Sequence, residues 1–233
     1  TLPNAWQIAD VSNTAGSGSL NYFTNLTAAQ RLAATNNGWR FTVVSRLVAG
    51  STNASPAQFM TYGNGSRRFV VGWDTNAAGL LTATTFGSPN TTNILTATAS
   101  AATNAYHTHE LVYDPVTQQA TYLFDGVSIQ TWGGLSPDAN HNGTAQWGSA
   151  SSGGQGRMNY HHVQFAINGL GTVAEYDAGL AGAPAIAPHP QTQGWNTNLP
   201  VVATAVTNAP VSPDSAPLPT IQATYTTGNE VPL

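Results

Sequence analysis

The chain has no cysteine and no lysine. Without cysteine there are no disulfides, no thiol nucleophile and no cysteine-ligated metal. Without lysine the cations reduce to Arg31, Arg40, Arg46, Arg67, Arg68 and Arg157. Charged residues of both signs make up only 7% of the chain, against roughly 25% in an average protein. That excludes nucleic-acid binding, which needs a dense positive field, and a polybasic membrane patch. No apolar run approaches the roughly 18 residues that span a bilayer, so no membrane insertion is expected. A signal-peptide pattern is missing too, and the chain opens at Thr1 as a processed product would.

What fills the space is Asn, Thr, Ser, Gln and Gly, a surface that is neutral and rich in hydrogen-bonding groups. Such a composition suggests a secreted or cell-surface protein that meets neutral polymers. The 233 residues suit one large β domain with a tail, and a chain of this length buries a full core without staples.

Strand signals dominate. The segments WRFTVVSRLV (residues 39–48), RRFVVGW (67–73), HTHELVY (107–113), QATYLF (119–124), VSIQTW (127–132), MNYHHVQFAI (158–167) and TVAEYD (172–177) are short and β-branched or aromatic, with turn-forming clusters between them. Many short strands at this spacing read as a sandwich or barrel. One helix is expected in NLTAAQRLAATNNG: Thr27 caps it, Gln30 completes a capping box, and Asn36-Asn37-Gly38 ends it after about two turns. Residues 1–182 form the domain. Residues 183–233, rich in Pro, Thr and Ala, form an extended tail in which VVATAVT and IQATYTT are candidate strands.

Residues 106–129, YHTHELVYDPVTQQATYLFDGVSI, gather two histidines, one glutamate and two aspartates. Strand alternation puts His107, His109, Leu111 and Tyr113 on one face. Asp114-Pro115 opens a turn, and Asp125-Gly126 makes a tight one. The segment is a three-stranded meander in which both aspartates hold turns.

This meander resembles that of concanavalin A-like, laminin-G-type lectin domains, with an aromatic-His strand, an Asp-Pro turn and a strand ending in Asp-Gly. AWQIAD (residues 5–10) is similar to the family's first strand, GWRFTVVSRLV to an early one and MNYHHVQFAI to a late one. The likeness covers residues 1–182. It implies an all-β, antiparallel two-sheet jelly-roll sandwich with one short helix, here followed by the extended tail.

Enzyme readings lack their motifs. Glycoside hydrolysis needs two opposed carboxylates, and Glu175-x-Asp177 lacks the third acid of the Glu-x-Asp-x-x-Glu strand that glycosidases of this fold use. There are no sialidase Asp-boxes, no polysaccharide-lyase strand motif and no G-x-S-x-G elbow for a serine triad. A non-catalytic protein is expected. His107 and His109 share a face and so suit a metal, but zinc needs a third ligand that no spacing supplies, and hydrogen-bonded sandwich histidines are the simpler reading. Structural calcium is implied by the lectin resemblance near the chain ends, with Asp10 and Asp177 sharing the ion if their strands are neighbours.

For sugars, the stretch WGGLSPDANHNGTAQWGSASSGGQGR (residues 132–157) reads as a long binding loop. Trp132 and Trp147 are candidates for stacking on sugar faces, and Asp138, Asn140, His141 and Asn142 for bonding hydroxyls. Asn25, Asn53, Asn64, Asn90 and Asn142 head glycosylation sequons, which matter only in a suitable secretory host. Two functions follow. In the first, the protein is structural or adhesive and its tail adds as a strand to a neighbouring copy, building a filament or surface layer. In the second, it is a carbohydrate-binding module that takes neutral glycans in the 132–157 loop.

Overall fold

The computed structural model describes residues 5–10, 21–50, 56–87, 91–95, 105–136, 141–149, 156–178 and 220–221. Its strands are β1 (Trp6–Asp10), β2 (Asn21–Asn25), β3 (Trp39–Ala49), β4 (Gln58–Gly63), β5 (Arg68–Thr75), β6 (Leu81–Gly87), β7 (Thr91–Leu95), β8 (His107–Asp114), β9 (Gln119–Phe124), β10 (Val127–Trp132), β11 (Thr144–Ser149), β12 (Gly156–Ile167), β13 (Gly171–Asp177) and β14 (Thr220–Ile221). One helix, α1 (Ala28–Asn37), joins β2 to β3. Among the described residues, eight strands form a sheet in the order β10-β9-β8-β3-β12-β1-β14, with β13 also on β12, and six form a second sheet, β2-β11-β4-β5-β6-β7. The pairs are antiparallel apart from β1 with β14, which is parallel. This is the expected two-sheet jelly-roll sandwich.

Alternation explains the core. In β3, Trp39, Phe41, Val43 and Leu47 turn inward and are buried while Arg40 is exposed, as a period of two requires. Trp39 is the centre of an aromatic cluster, stacked on Tyr113 and Phe165 and edge-on to Tyr62 and Phe69. Strand β12 organises the larger sheet. One of its edges pairs with β3 along its length, and the other is shared end to end by β1, opposite residues 156–160, and β13, opposite residues 162–167.

The helix has the expected capping box: Gln30 N–H donates to Thr27 Oγ1 at 3.3 Å and Thr27 N–H to Gln30 Oε1 at 2.9 Å. It runs ten residues, longer than the expected two turns, because Asn36 and Asn37 remain helical and the stop falls at Gly38, whose φ of 89° suits glycine. No helix among the described residues is long and apolar enough to cross a membrane. In the tail, Thr220 and Ile221 lie beside Gln7 and Ile8 of the same chain. The expected VVATAVT strand falls outside the described residues.

Candidate functional site

The histidines of the meander build part of the interior. His109 is buried, and its Nδ1 accepts the Trp73 Nε1–H at 3.1 Å and sits 2.8 Å from the Tyr122 hydroxyl. Burial, and to a smaller degree the neighbouring His107, lowers its pKa to about 3, so the ring is neutral. His107 Nδ1 lies 2.6 Å from Asp125 Oδ2. Burial pushes the Asp125 pKa up, but hydrogen bonds from His107 and from the Thr108 N–H outweigh it and leave the carboxyl below its usual range. Asp125 holds a φ of 48° and Gly126 one of 78°, the tight turn that Asp-Gly predicts. Asp114 accepts from Val116 N–H and Thr117 Oγ1–H, both at 2.9 Å. Among the described residues no three His, Asp or Glu side chains group to hold a metal ion.

The 132–157 stretch is not one loop, because residues 144–149 form β11, a central strand of the smaller sheet. This corrects both tryptophans. Trp147 is 1% exposed and stacks on Tyr22 inside the core. Trp132 closes β10, packs edge-on against Phe69, and donates its Nε1–H to the Phe86 carbonyl at 2.9 Å. Neither presents a free face to a sugar. Asn142 is exposed, and its backbone bridges to Gly63, with half-buried His141 beside it. Asp138 and Asn140 lie outside the described residues.

The shared calcium site does not assemble either. Asp10 sits opposite Gly156 and Asp177 opposite His162. That is six positions along β12, about 20 Å at ~3.3 Å per residue. The two also face opposite sides of the sheet. Asp10 points inward and accepts a short hydrogen bond from Ser149 Oγ on the other sheet, while Asp177 Oδ2 lies 3.3 Å from His162 Nδ1 on the outer face.

The outer face of the smaller sheet carries what the sequence reading missed. Ala145 and Trp147 belong to the core, so Gln146 between them turns outward. Its register partners are Phe23 on β2 and Thr61 on β4, and Thr61 in turn faces Val70 on β5. A parallel row holds Asn21, Gly148, Phe59, Gly72 and Thr84. Pro56 packs directly over Gly72, where a Cβ would lie 2.6 Å from Pro56 Cγ. Arg68 reaches across the face and donates from Nε to Thr61 Oγ1 at 3.3 Å, and Thr61 donates to the Phe69 carbonyl at 2.9 Å. Beside this strip, Thr144 Oγ1–H donates to Asn25 Oδ1 at 3.0 Å. Apolar rings, amides, hydroxyls and one guanidinium thus line a single sheet face. Most of them are buried: Thr61 is 0%, Asn21 3%, Gln146 5% and Phe59 5% exposed.

Among solved structures, a carbohydrate esterase from the Shiga toxin-encoding bacteriophage phi24B matches at 13% identity and a TM-score of 0.47, over 69% of this chain and 85% of its own. A SAP-like pentraxin from Limulus polyphemus matches at 10% identity and a TM-score of 0.45, over 71% and 76%. Sheep galectin-11 matches at 10% identity and a TM-score of 0.34, over 71% and 99%. With scores this low, the fold rests on the chain's own two sheets. Comparison with curated proteins gives no match. A family model does match, over residues 4–207, and its description is of a lectin insertion rather than a catalytic domain. The sandwich is of the concanavalin A-like kind, and nothing in it singles out the laminin-G type. Because the match spans most of the chain, the protein belongs to the family described as Vibrio cholerae sialidase, lectin insertion.

Proposed function

We propose that the protein is a non-catalytic, extracellular carbohydrate-binding module that takes a glycan at the smaller sheet. The observation that carries this reading is the lectin-insertion family match over residues 4–207. Exposed Asn142, whose backbone bridges to Gly63 at the end of β4 beside half-buried His141, supports a contact at this end of the smaller sheet. A glycan array probed with the full chain tests it. Specific signals that Asn142→Ala removes while the fold persists support this end. A blank array at high protein concentration would rule the function out.

A second reading keeps the tail as a connector. Thr220 and Ile221 occupy the edge of β1 in their own chain, and the same edge offered to a neighbour's tail would link copies into a filament or layer. Negative-stain microscopy of the full chain beside a version ending at Gly182 separates the two. Filaments from the full chain alone favour assembly, and single particles from both leave a self-docked strand. Calcium is proposed only at Asp10 or Asp177 singly, and a melting temperature unmoved by EDTA would remove it.

A further inference from the structure

We infer that Asn64 is a self-modification site, where the folded chain converts an asparagine to aspartate and isoaspartate through a succinimide. The chain has four Asn-Gly pairs, at residues 37–38, 64–65, 142–143 and 168–169. Glycine has no Cβ to shield its nitrogen, so each pair is a candidate. The chemistry would be the same at each. The glycine nitrogen gives its proton to hydroxide or water and attacks the asparagine Cγ. The new N–Cγ bond closes the succinimide ring. The Cγ–Nδ2 bond breaks, and Nδ2 takes up a proton and leaves as ammonia. Water then opens the ring at either carbonyl.

Hydrogen bonding decides among the four. Gly38 N–H donates to the Ala34 carbonyl at 3.1 Å, and Gly143 N–H to the Gly63 carbonyl at 2.6 Å. Both nitrogens are tied to the backbone and are not free to turn on their own asparagine. Gly65 and Gly169 have no such bond among the described residues. Their asparagines differ. Asn168 donates from Nδ2 to the Asn37 carbonyl at 2.9 Å, and its Oδ1 has no donor among the described residues. That anchors the leaving group and leaves Cγ unpolarised. Asn64 instead accepts at Oδ1 from two backbone donors, Ser66 N–H at 3.0 Å and Arg67 N–H at 2.8 Å. Negative charge gathers on that oxygen as the nitrogen attacks, so the two donors act as an oxyanion hole already in place. The Tyr113 hydroxyl also hydrogen-bonds with this side chain, and a phenol, unlike a carbonyl, can hand the departing nitrogen a proton. Gly65, Ser66 and Arg67 are exposed, so water reaches the turn. Conversion adds a carboxylate beside Arg67 in sequence, and isoaspartate adds a methylene to the main chain of the β4–β5 turn. Gly65 lies against Asn142, whose Oδ1 would be 2.9 Å from a Cβ there, so the change reaches that end of the smaller sheet.

Peptide mapping by mass spectrometry tests this on the full chain, held folded at physiological temperature and mildly alkaline pH. A parallel sample is unfolded in urea, and incubation runs until that sample has converted. Electron-transfer fragmentation separates aspartate from isoaspartate. In the folded chain Asn64 should convert at least about tenfold faster than Asn37, Asn142 and Asn168, a smaller margin than the loss on removing one oxyanion-hole donor. In urea the four should convert at similar rates, because only the dipeptide then acts. Tyr113→Phe, which keeps the ring in the core, should slow Asn64 alone, and an unchanged rate overturns the phenol's part. If another pair converts first in the folded chain, or Asn64 stays intact there while the urea sample converts, the assignment is overturned.

Discussion

Trp147 and Gln146 are neighbours on β11, and the strand sends them to opposite sides of one sheet. Trp147 is locked between Tyr22, Phe41 and Tyr176 in the core. Gln146 faces outward with an unpaired amide oxygen. The inner face of the sheet therefore holds residues whose removal costs stability. The outer face is covered as well, with Gln146 5% and Thr61 0% exposed, but its buried residues are mostly polar or small rather than large aromatics. Binding chemistry on a sandwich belongs where packing does not already consume the side chain.

The sharpest break of this contrast is Trp147→Ala. It should lower unfolding free energy by about 3–5 kcal/mol, the range for deleting a large buried aromatic, measured by denaturant titration. A loss under a fifth of that would mean the ring is not core. The next effect is on pH. The pKa of about 3 at His109 lies below the unfolded value near 6.5, so the unfolded chain binds the proton more readily. Stability should fall as pH drops from 6.5 toward 3, by about 1.4 kcal/mol per unit or roughly 2 kcal/mol by pH 5. His109→Gln should flatten that slope, and an unchanged slope would place the titrating group elsewhere. Thr27→Ala should cost about 1 kcal/mol by breaking the capping box, seen as a shift in the denaturation midpoint. Gln146→Ala should change stability least among these buried positions, by about 1 kcal/mol or less, because the amide oxygen it removes has no partner. A larger loss would make Gln146 structural and collapse the contrast.

Much of the larger sheet was legible. Strands β3, β8, β9, β10, β12 and β13 show β-branched or aromatic residues at alternate positions, because one face packs on the core and the other meets water. The helix was legible from its Thr27–Gln30 box, and the meander turns from Asp-Pro and Asp-Gly. The smaller sheet was mostly hidden, β5 excepted. NYFTN, QFMTYG and TAQWGS carry Asn, Gly, Thr and Ser at positions that read as loop. Both β4 and β11 are buried throughout, so neither shows the polar alternation that marks a strand. With β11 unrecognised, Trp132 before it and Trp147 within it looked like parts of a binding loop.

The amino-acid sequence by itself determined a cysteine-free, nearly uncharged, all-β sandwich with one capped helix, because alternation, turn chemistry and capping act over a few neighbouring residues. Which side chains stand together was decided only by the tertiary structure. Phe23, Thr61 and Gln146 are far apart along the chain and meet because the order β2-β11-β4 and its register put them in one row. The same pairing separated Asp10 from Asp177, since β1 and β13 share an edge of β12 end to end rather than side by side. Register is a long-range property: a slip of one residue would turn Trp147 to the surface and Gln146 to the core.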